Sequence, residues 1–257
     1  MWLNLAALEQ RLTTRFVGRR LLYFTSTTST MDVARSEAET GAPDGTVVLA
    51  EEQTQGRGRF DRAWVSPAGQ NLYLTLIIRP SLDRLRSLSI VAPLAVALAV
   101  GDSTDLSPRI KWPNDVLING RKLSGILVES EVIGQSAKYA LVGVGVNVNF
   151  DIEQSPEIAG VATSLKRELG RETSREDLLA VFVNRFEQLY EDAPKGDAVL
   201  QQWRSRLDTL GREIRITFRD QVYEGLAEDV DRDGNLILAQ ADGTRRTIEA
   251  GEVTLRA

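Results

Sequence analysis

Seven short segments of this sequence have the apolar, β-rich texture of strands, at 20–24, 46–50, 71–78, 109–112, 116–118, 123–129 and 138–148. Helical patterns lie around them, near 4–15, 31–40, 85–100, 162–169, 174–192 and 197–209. Strands mixed with flanking helices predict a sheet domain of the α+β or α/β type. The helix near 85–100 is apolar nearly all round, so we expect it to be buried, and Pro93 is expected to break or kink it.

Two helices also carry signals at their ends. Asn4 precedes the first helix as a predicted N-cap. Ser29 and Asp32 have the spacing of a capping box before the second helix, and Gly41 follows it as a C-terminal stop.

The texture changes after Leu210, where short β-rich segments are separated by the turn sequences DRDGN and ADG. This pattern is typical of a small antiparallel barrel of hairpins. We therefore predict two domains, residues 1–209 and 210–257.

One turn of this barrel resembles the start of a calcium-binding loop. Asp229, Asp231, Asp233 and Gly234 have the spacing of such a loop, but Gln240 stands where a bidentate glutamate is needed. We therefore prefer the interpretation that these residues form a solvated hairpin turn.

The composition excludes several kinds of chemistry. The 257 residues include no cysteine and no histidine, which removes disulfides, thiol catalysis, the commonest zinc ligand and the usual general base near neutral pH. The formal net charge of -5 argues against a general nucleic-acid binder, because such proteins neutralise phosphates with excess basic charge. The longest apolar run, 87–100, is shorter than a bilayer span, and the N-terminus lacks the features of a signal peptide, so we expect a cytoplasmic location without membrane contact.

One predicted loop concentrates chemically active residues, the stretch GRGRFDRAW at 56–64. Glycines let a backbone approach a ligand or swing as a lid, and guanidinium groups donate in a fork that suits carboxylate and phosphate. Taken alone, the stretch is explained equally well as a solvated loop whose arginines pair with Glu51, Glu52 and Asp61. It has the spacing of neither a P-loop nor a dinucleotide fingerprint.

Two further stretches are candidates for a site, KWPNDVLINGRKLSGILVES at 111–130 and GVGVNVNF at 143–150. The Pro-Asn-Asp turn and its lysines could be surface features, but Lys122 lies at the edge of an apolar strand, where a lone cation needs an anion. In the second stretch, glycines alternate with valines, which close backbone packing explains as well as a ligand does.

In combination, these stretches resemble the biotin-protein ligases, enzymes that adenylate biotin with ATP and transfer it to a lysine of a carrier domain. GRGRFDRAW is similar to the family's GRGRxxRxW loop, KWPND and RKLSGILVE to its most distinctive block, and GVGVNVN to its G-x-G-x-N strand. Residues 211–257 resemble its C-terminal SH3-like barrel. The resemblance runs from about Tyr23 to the C-terminus. It implies a mixed-sheet catalytic domain of the class II synthetase-like, biotin-lipoate ligase type.

The resemblance also implies roles for individual residues. Those expected to bind biotin are Ser29, Thr30, Gln53, Gly56, Arg57, Gly58, Lys122 and Gly125. Those expected to bind ATP or the adenylate are Arg59, Arg62, Trp64, Asn114, Asp115 and Asn147. The expected catalytic groups are Lys122, Arg59 and Arg57. The sequence departs from many relatives at Met31 and Asp32, where Asn-Gln or Asn-Asp commonly follows Ser-Thr.

The implied chemistry agrees with these residue types. The ureido ring of biotin offers two N–H donors and one carbonyl acceptor, which suit neutral polar groups in an apolar pocket. Adenylation brings a carboxylate against the α-phosphate of ATP, so cations must neutralise the repulsion between two anions. Mg²⁺ is implied by the use of ATP, and no residue is assigned as its ligand. For the transfer step, the residues leave open whether Asp115 or another carboxylate assists the acceptor lysine or whether the activated leaving group suffices.

The resemblance implies a partner as well, the biotin carboxyl carrier protein of acetyl-CoA carboxylase. About twenty residues precede the first core strand, so we expect a monofunctional ligase without a DNA-binding domain. A homodimer is left open, since some relatives pair through sheet edges. The rival functions are a lipoate-type ligase, which shares the fold, and a nucleic-acid-binding module.

Overall fold

A computed structural model describes residues 2–218 and 221–255. Its larger sheet contains β1 (Leu21–Phe24), β2 (Thr46–Ala50), β3 (Leu72–Ile78), β4 (Arg109–Lys111), β5 (Asp115–Ile118), β6 (Arg121–Ile133) and β7 (Ser136–Val146). The strand order is β1-β2-β3-β7-β6-β5-β4. β1 is parallel to β2, and the other neighbouring pairs are antiparallel. The sheet is therefore mixed, which confirms the α+β alternative.

Helices cover both faces of this sheet. They are α1 (Leu5–Glu9), α2 (Thr30–Glu39), α3 (Leu82–Leu85), α4 (Leu88–Ser103), α5 (Pro156–Ala159), α6 (Leu165–Leu169), α7 (Arg175–Asp192) and α8 (Ala198–Arg204). Successive side chains of a strand point to opposite faces, and β2 follows this rule. Val47 and Leu49 join the large core that contains α4 and α7, whereas Val48 joins the smaller core beneath α2.

Helix α4 is buried as predicted, but Pro93 does not break it. The helix continues without interruption from Leu88 to Ser103. Val91, Ala92, Leu94 and Ala95, on both sides of the proline, are fully buried. A proline inside a helix costs about 3 kcal/mol, and burial of several apolar side chains at roughly 1.5–3 kcal/mol each outweighs that cost.

Helix α1 has the predicted Asn4 N-cap but ends at Glu9, earlier than predicted. The chain leaves the helix because α7 offers its backbone other partners. The buried carboxylate of Glu187 accepts hydrogen bonds from the backbone N–H groups of residues 15, 16 and 17. Asn184 likewise accepts from the backbone N–H of Thr13 at 2.9 Å.

The smaller, C-terminal sheet is entirely antiparallel. It consists of β8 (Glu213–Phe218), β9 (Gln221–Val230), β10 (Leu236–Ala239), β11 (Arg245–Ile248) and β12 (Glu252–Leu255), in the order β11-β10-β9-β8-β12. This arrangement confirms the predicted small barrel, of which residues 219, 220, 256 and 257 lie outside the described part of the chain. The exact domain boundary at 209/210 stays a prediction.

Candidate active site

A cavity of about 280 Å³ lies against strands β3, β6 and β7 of the larger sheet. Its lining includes, from the sets predicted from the sequence, Ser29, Thr30, Gln53, Arg57, Gly58, Arg59, Arg62, Trp64, Asn114, Asp115, Lys122, Gly125 and Asn147. Residues that are far apart in the sequence therefore meet in one cavity. Whether each has its predicted ligand role stays a prediction.

Gly56 does not line the cavity, although it was predicted to bind biotin. A Cβ atom on Gly56 would lie 2.5 Å from the carbonyl oxygen of Trp64 and 2.7 Å from the Ser66 hydroxyl. The loop pairs with itself, because the Trp64 N–H donates to the Gly56 carbonyl at 2.9 Å and the Gly58 N–H to the Arg62 carbonyl at 2.7 Å. Gly56 is therefore required by packing inside a small hairpin.

One group of side chains lining or backing the cavity consists of neutral hydrogen-bonding groups around Gln53. The side-chain oxygen of Gln53 accepts from the backbone N–H and the hydroxyl of Thr30, at 2.9 and 3.1 Å. Its amide nitrogen donates to the Ser66 hydroxyl at 3.1 Å, and the Thr75 hydroxyl donates to that of Thr30 at 2.9 Å. The Ser29 hydroxyl accepts from the backbone N–H of Met31 at 3.3 Å, as an N-cap of α2. We call these five side chains, Ser29, Thr30, Gln53, Ser66 and Thr75, the neutral end.

The indole of Trp64 packs on two glycines in the floor of the cavity. Gly125 of β6 and Gly145 of β7 are partners in the strand register. A Cβ on Gly145 would lie 2.5 Å from the indole, and one on Gly125 would lie 3.0 Å from it. The glycines of the two motifs therefore make room for this one side chain. Its buried Nε1 atom has no hydrogen-bond acceptor among the described residues.

Lys122 is held in place by its backbone and by a carboxylate. Its N–H donates to the Val161 carbonyl at 2.9 Å, and its carbonyl accepts from the Thr163 N–H at 2.8 Å. These bonds explain why the helix predicted near 162–169 begins only at Leu165, after this bridge. The Nζ atom lies 2.7 Å from Asp115 and 5.3 Å from the centre of the Trp64 ring. The anion that Lys122 was expected to need is therefore Asp115.

Each arginine of the loop has a partner from a different element. Arg57 pairs with Asp32 of α2 at 2.5 Å, and Arg59 donates to the Asn114 side chain at 3.1 Å. Arg62 pairs with Glu252 of β12 at 2.5 Å.

Of the partners suggested by the neighbouring sequence, Glu51 and Glu52 form no ion pair with the loop arginines among the described residues. Glu51 is fully buried and instead binds Arg175 at 2.7 Å, and the Asp61 side chain lies outside the described part of the chain. We call Arg57, Arg59, Arg62, Lys111 and Lys122 the cationic end.

Arg59 of the loop is partly buried, and its surroundings affect its charge. Burial lowers the pKa of its guanidinium below the ordinary value, and the charges of Asp115 and Glu252 oppose that effect. Its guanidinium also stacks on the ring of Phe60, 4.8 Å from the ring centre. A partly buried cation interacts more strongly with an incoming anion than an exposed one, because water screens it less.

Asn147 lines the cavity but its amide is already engaged. The side-chain nitrogen donates to the Thr163 carbonyl at 3.0 Å, next to the bridge that holds Lys122. Asn147 was predicted on the nucleotide side, and its contacts show that it also fixes the segment around residue 163.

Sequence reasoning missed several lining or supporting residues. Ser66 and Thr75 stand behind Thr30 and Gln53, and Glu252 reaches the cavity from the C-terminal barrel. Lys111 also lines the cavity, and its side chain has no ion pair or hydrogen bond within residues 2–218 and 221–255. Its place in the KWPND stretch was the one signal that could have identified it.

No resident metal site is built into the described residues. Among residues 2–218 and 221–255, no group of three His, Cys, Asp or Glu side chains could hold an ion. The carboxylates at the cavity, Asp32, Asp115 and Glu252, each face a cation. In the same part of the chain, no helix combines the length and the apolar character needed to cross a membrane.

Comparisons with known proteins identify the family. Residues 21–147 match the biotin/lipoate A/B protein ligase family, and residues 209–256 match the biotin protein ligase C-terminal domain. The biotin–[acetyl-CoA-carboxylase] ligase of Paracoccus denitrificans is 37% identical over 214 residues, which cover 80% of this chain and 88% of that protein. The chain belongs to the biotin protein ligases.

Two further family members are similar over nearly the whole chain. The bifunctional ligase/repressor BirA of Bacillus subtilis is 32% identical over 244 residues, or 93% of this chain and 75% of that protein. A solved biotin protein ligase from Aquifex aeolicus, in complex with biotin and ATP, has a TM-score of 0.80 at 27% identity. It covers 93% of this chain and 99% of its own. These matches confirm the biotin ligase fold, with its small C-terminal SH3-like domain.

Proposed function

We propose that this chain activates biotin with ATP and transfers the biotinyl group to a lysine of a carrier domain. In the first step, a carboxylate oxygen of biotin attacks the α-phosphorus of ATP, and pyrophosphate leaves. In the second, the lysine amine attacks the acyl carbon of biotinyl-5′-AMP, an amide bond forms, and AMP leaves while the amine loses its proton. The chain is therefore an ATP-dependent biotin ligase.

One observation supports this function above the others: the neutral end and the cationic end share a single cavity. Biotin has a neutral ureido ring at one end and a carboxylate at the other. A site for its adenylation must therefore place hydrogen-bonding groups without charge at one end and cations at the other.

At the neutral end, the hydrogen bonds distinguish the roles of two hydroxyl groups. The Thr30 hydroxyl donates to Gln53 and accepts from Thr75, so both of its functions are used within the protein. The Ser29 hydroxyl accepts from the Met31 N–H and keeps its own hydrogen. We therefore assign Ser29 as the donor to the ureido carbonyl and Thr30 as the residue that orients Gln53.

At the cationic end, charge neutralisation supplies the catalysis. Lys122 is fixed by its strand and by Asp115, so it offers a preorganised cation where negative charge develops. Arg57, Arg59 and Arg62 would turn from their protein partners toward the carboxylate and phosphates. Trp64, on its glycine floor, would form the wall against the adenine.

Mg²⁺ enters with ATP and is part of that substrate. Mg²⁺ is commonly bound through one or two carboxylates together with the phosphates of a nucleotide. The carboxylates at this cavity are engaged with cations, which agrees with an ion held mainly by the triphosphate. The protein's own task is then to hold the phosphates and the biotin carboxylate.

The transfer step requires a neutral amine, and with a pKa near 10.4 only about one lysine in a thousand is neutral around pH 7.4. Asp115, the carboxylate nearest the fixed cation, is engaged with Lys122. We assign Asp115 to orienting Lys122, and we attribute the ease of the step to AMP as an activated leaving group.

We propose the carrier domain of acetyl-CoA carboxylase as the acceptor, because the Paracoccus relative is named for that substrate. The net charge of -5 disfavours nucleic acid as a partner. Whether the protein forms a homodimer stays open, and sedimentation of the free and the biotin-bound protein would decide it.

Biotin-dependent exchange of pyrophosphate into ATP tests the function directly. We expect exchange with biotin and none with lipoate. Exchange with lipoate alone would support the lipoate-type alternative, and exchange with neither would contradict both ligase functions. Salt-sensitive oligonucleotide binding without exchange would support the nucleic-acid module.

A further inference from the structure

The hairpin between β9 and β10 joins the C-terminal barrel to the larger sheet domain. We call residues 229–235 the docking hairpin. Asp231 forms the turn itself, since its carboxylate accepts from the backbone N–H groups of Asp233 and Asn235, each at 2.9 Å. The flanking carboxylates point outward: Asp229 pairs with Arg204 of α8 at 2.6 Å, and Asp233 pairs with Arg86 before α4. Two of the aspartates whose spacing resembles a calcium-binding loop thus form ion pairs with arginines of the larger domain.

The tip of the docking hairpin packs closely on α4. Gly234 has a φ of +82°, and a Cβ built on it would lie 3.0 Å from Ile90 and 3.7 Å from Trp203. A glycine is needed here twice over, for its left-handed backbone and for the short distance to Ile90.

The Gly234 carbonyl accepts a hydrogen bond from the indole nitrogen of Trp112 at 2.9 Å. Trp112 is only 2% exposed, and its backbone N–H donates to the buried Thr209 hydroxyl at 2.9 Å. Both N–H groups of this tryptophan are therefore fixed by residues near or within the C-terminal barrel.

Trp112 stands two residues before Asn114, which touches the loop of the cationic end. The Asn114 side chain accepts from Arg59 at 3.1 Å and donates to the Ile126 carbonyl at 2.7 Å. Gly234 is thus linked to Trp112 by a hydrogen bond, Trp112 to Asn114 by the backbone through Pro113, and Asn114 to Arg59 by a second hydrogen bond. The neutral end is anchored differently, because Thr30 and Gln53 bond to Ser66 and Thr75.

We propose that Trp112 and Gly234 are positioning residues for the nucleotide: the docking hairpin sets Trp112, and Trp112 sets Asn114 and hence Arg59. This inference rests on the proposed function. It separates two roles of the docking hairpin. If the hairpin only holds the domains together, its disturbance lowers the fraction of active protein and affects biotin and ATP alike. If it positions Asn114, the disturbance weakens the use of ATP selectively.

Gly234→Ala tests this with a matched control, Gly243→Ala. Gly243 also lies in a hairpin turn of the barrel, with a φ of +83°, but nothing lies within 4 Å of a Cβ built on it. Both variants therefore place an alanine at nearly the same positive φ, and only Gly234→Ala pushes against Ile90. In biotin-dependent pyrophosphate exchange, we expect Gly234→Ala to raise the KM for ATP about fivefold or more, while the KM for biotin stays within about twofold. Gly243→Ala should change neither constant.

A charge exchange provides the rescue. Arg86→Asp and Asp233→Arg alone should each raise the KM for ATP, by at most about fivefold because the ion pair is exposed. The double variant should return toward the wild-type value. Arg245→Gln is the control. It removes a solvent-exposed ion pair with Glu228, and both residues of that pair belong to the C-terminal barrel.

Three results would overturn the proposal: Gly234→Ala matching Gly243→Ala, equal rises in the KM values for biotin and ATP, or no recovery in the double exchange. Failure of the proposed function is recognised separately, because wild-type protein would then show no biotin-dependent exchange.

Discussion

The two ends of the cavity consist of different kinds of side chain. The neutral end consists of short side chains that bond to one another, and Ser29, Thr30 and Thr75 are at most 3% exposed. The cationic end consists of long side chains that reach partners on α2, on the turn before β5 and on β12. The first is preorganised. At the second, Lys122 is fixed, whereas Arg57 and Arg62 must exchange protein carboxylates for substrate anions.

This difference indicates how the substrates divide the cavity. Neutral hydrogen bonds gain specificity from fixed geometry and are insensitive to salt, whereas exposed ion pairs contribute about 0–1 kcal/mol and are screened. Exchange of partners is therefore inexpensive at the cationic end.

The largest expected effect comes from the fixed cation. Lys122→Ala should reduce the rate of pyrophosphate exchange about 100- to 1,000-fold, because it removes a preorganised charge from the transition state. Lys138→Ala, at a lysine that pairs with Glu131 outside the cavity, is the control. Near wild-type exchange in Lys122→Ala would remove Lys122 from the proposed mechanism.

Substitutions at two glycines of β7 allow the two ends of the cavity to be tested separately. Gly145→Ala would place a Cβ 2.5 Å from Trp64, and Gly143→Ala would place one 2.7 Å from the flexible Met31 side chain. We expect Gly145→Ala to weaken ATP use roughly 10- to 100-fold, since overpacking costs about 1–3 kcal/mol.

Gly143→Ala should affect biotin affinity, and by less, because Met31 can move. Calorimetric titration of biotin and the KM for ATP distinguish the two variants. Loss of biotin affinity in Gly145→Ala, with unchanged ATP use, would reverse this assignment of the ends.

A substitution of one uncharged side chain by another at the neutral end should affect biotin binding alone. Gln53→Leu removes an amide that binds Thr30 and Ser66, and it should weaken biotin about tenfold, within the 1–3 kcal/mol range for an unsatisfied buried polar partner. The change should be the same at low and high salt. A steep salt dependence of this loss would contradict the neutral character of that end.

Lys111 allows the two reaction steps to be separated. Lys111→Met should raise the KM for ATP about three- to tenfold, the effect expected for one partly screened contact to a phosphate. If the contact is with the β- or γ-phosphate, transfer from preformed biotinyl-5′-AMP should not change, because those phosphates have left by then. Equal loss in both steps would place Lys111 elsewhere in the mechanism.

The smallest expected effect concerns Asp32. Asp32→Asn removes the partner of Arg57, and both side chains are nearly half exposed, so biotin affinity should change by less than about fivefold. A change beyond tenfold would show that the pair acts as more than an exchangeable partner.

The sequence predicted the strands well and the helix ends less well. Strands depend on local runs of apolar residues, which the sequence displays. The ends of α1 and α6 depend on Glu187 and on the bridge to Lys122, groups that come from distant parts of the chain. Pro93 was judged by its local effect, whereas burial on both sides decided the outcome.

The candidate site, like the fold, could be predicted only in part from the sequence. Motifs brought nearly the whole predicted set to one cavity, with Gly56 as the exception. The partners of the cations, Asp32, Asn114 and Glu252, could not be inferred from adjacency, because each belongs to another element. The glycines of β6 and β7 were as consistent with backbone packing as with a ligand, until the register placed both beneath Trp64.

The sequence by itself determined the chemical inventory: no thiol, no imidazole, arginines and glycines in one loop, and lysines beside an apolar strand. Only the tertiary structure decided which charges face each other and which carbonyl meets Trp112. Residue type fixes what a group can donate or accept. Distance and burial, which depend on chain segments remote in sequence, fix whether it does so.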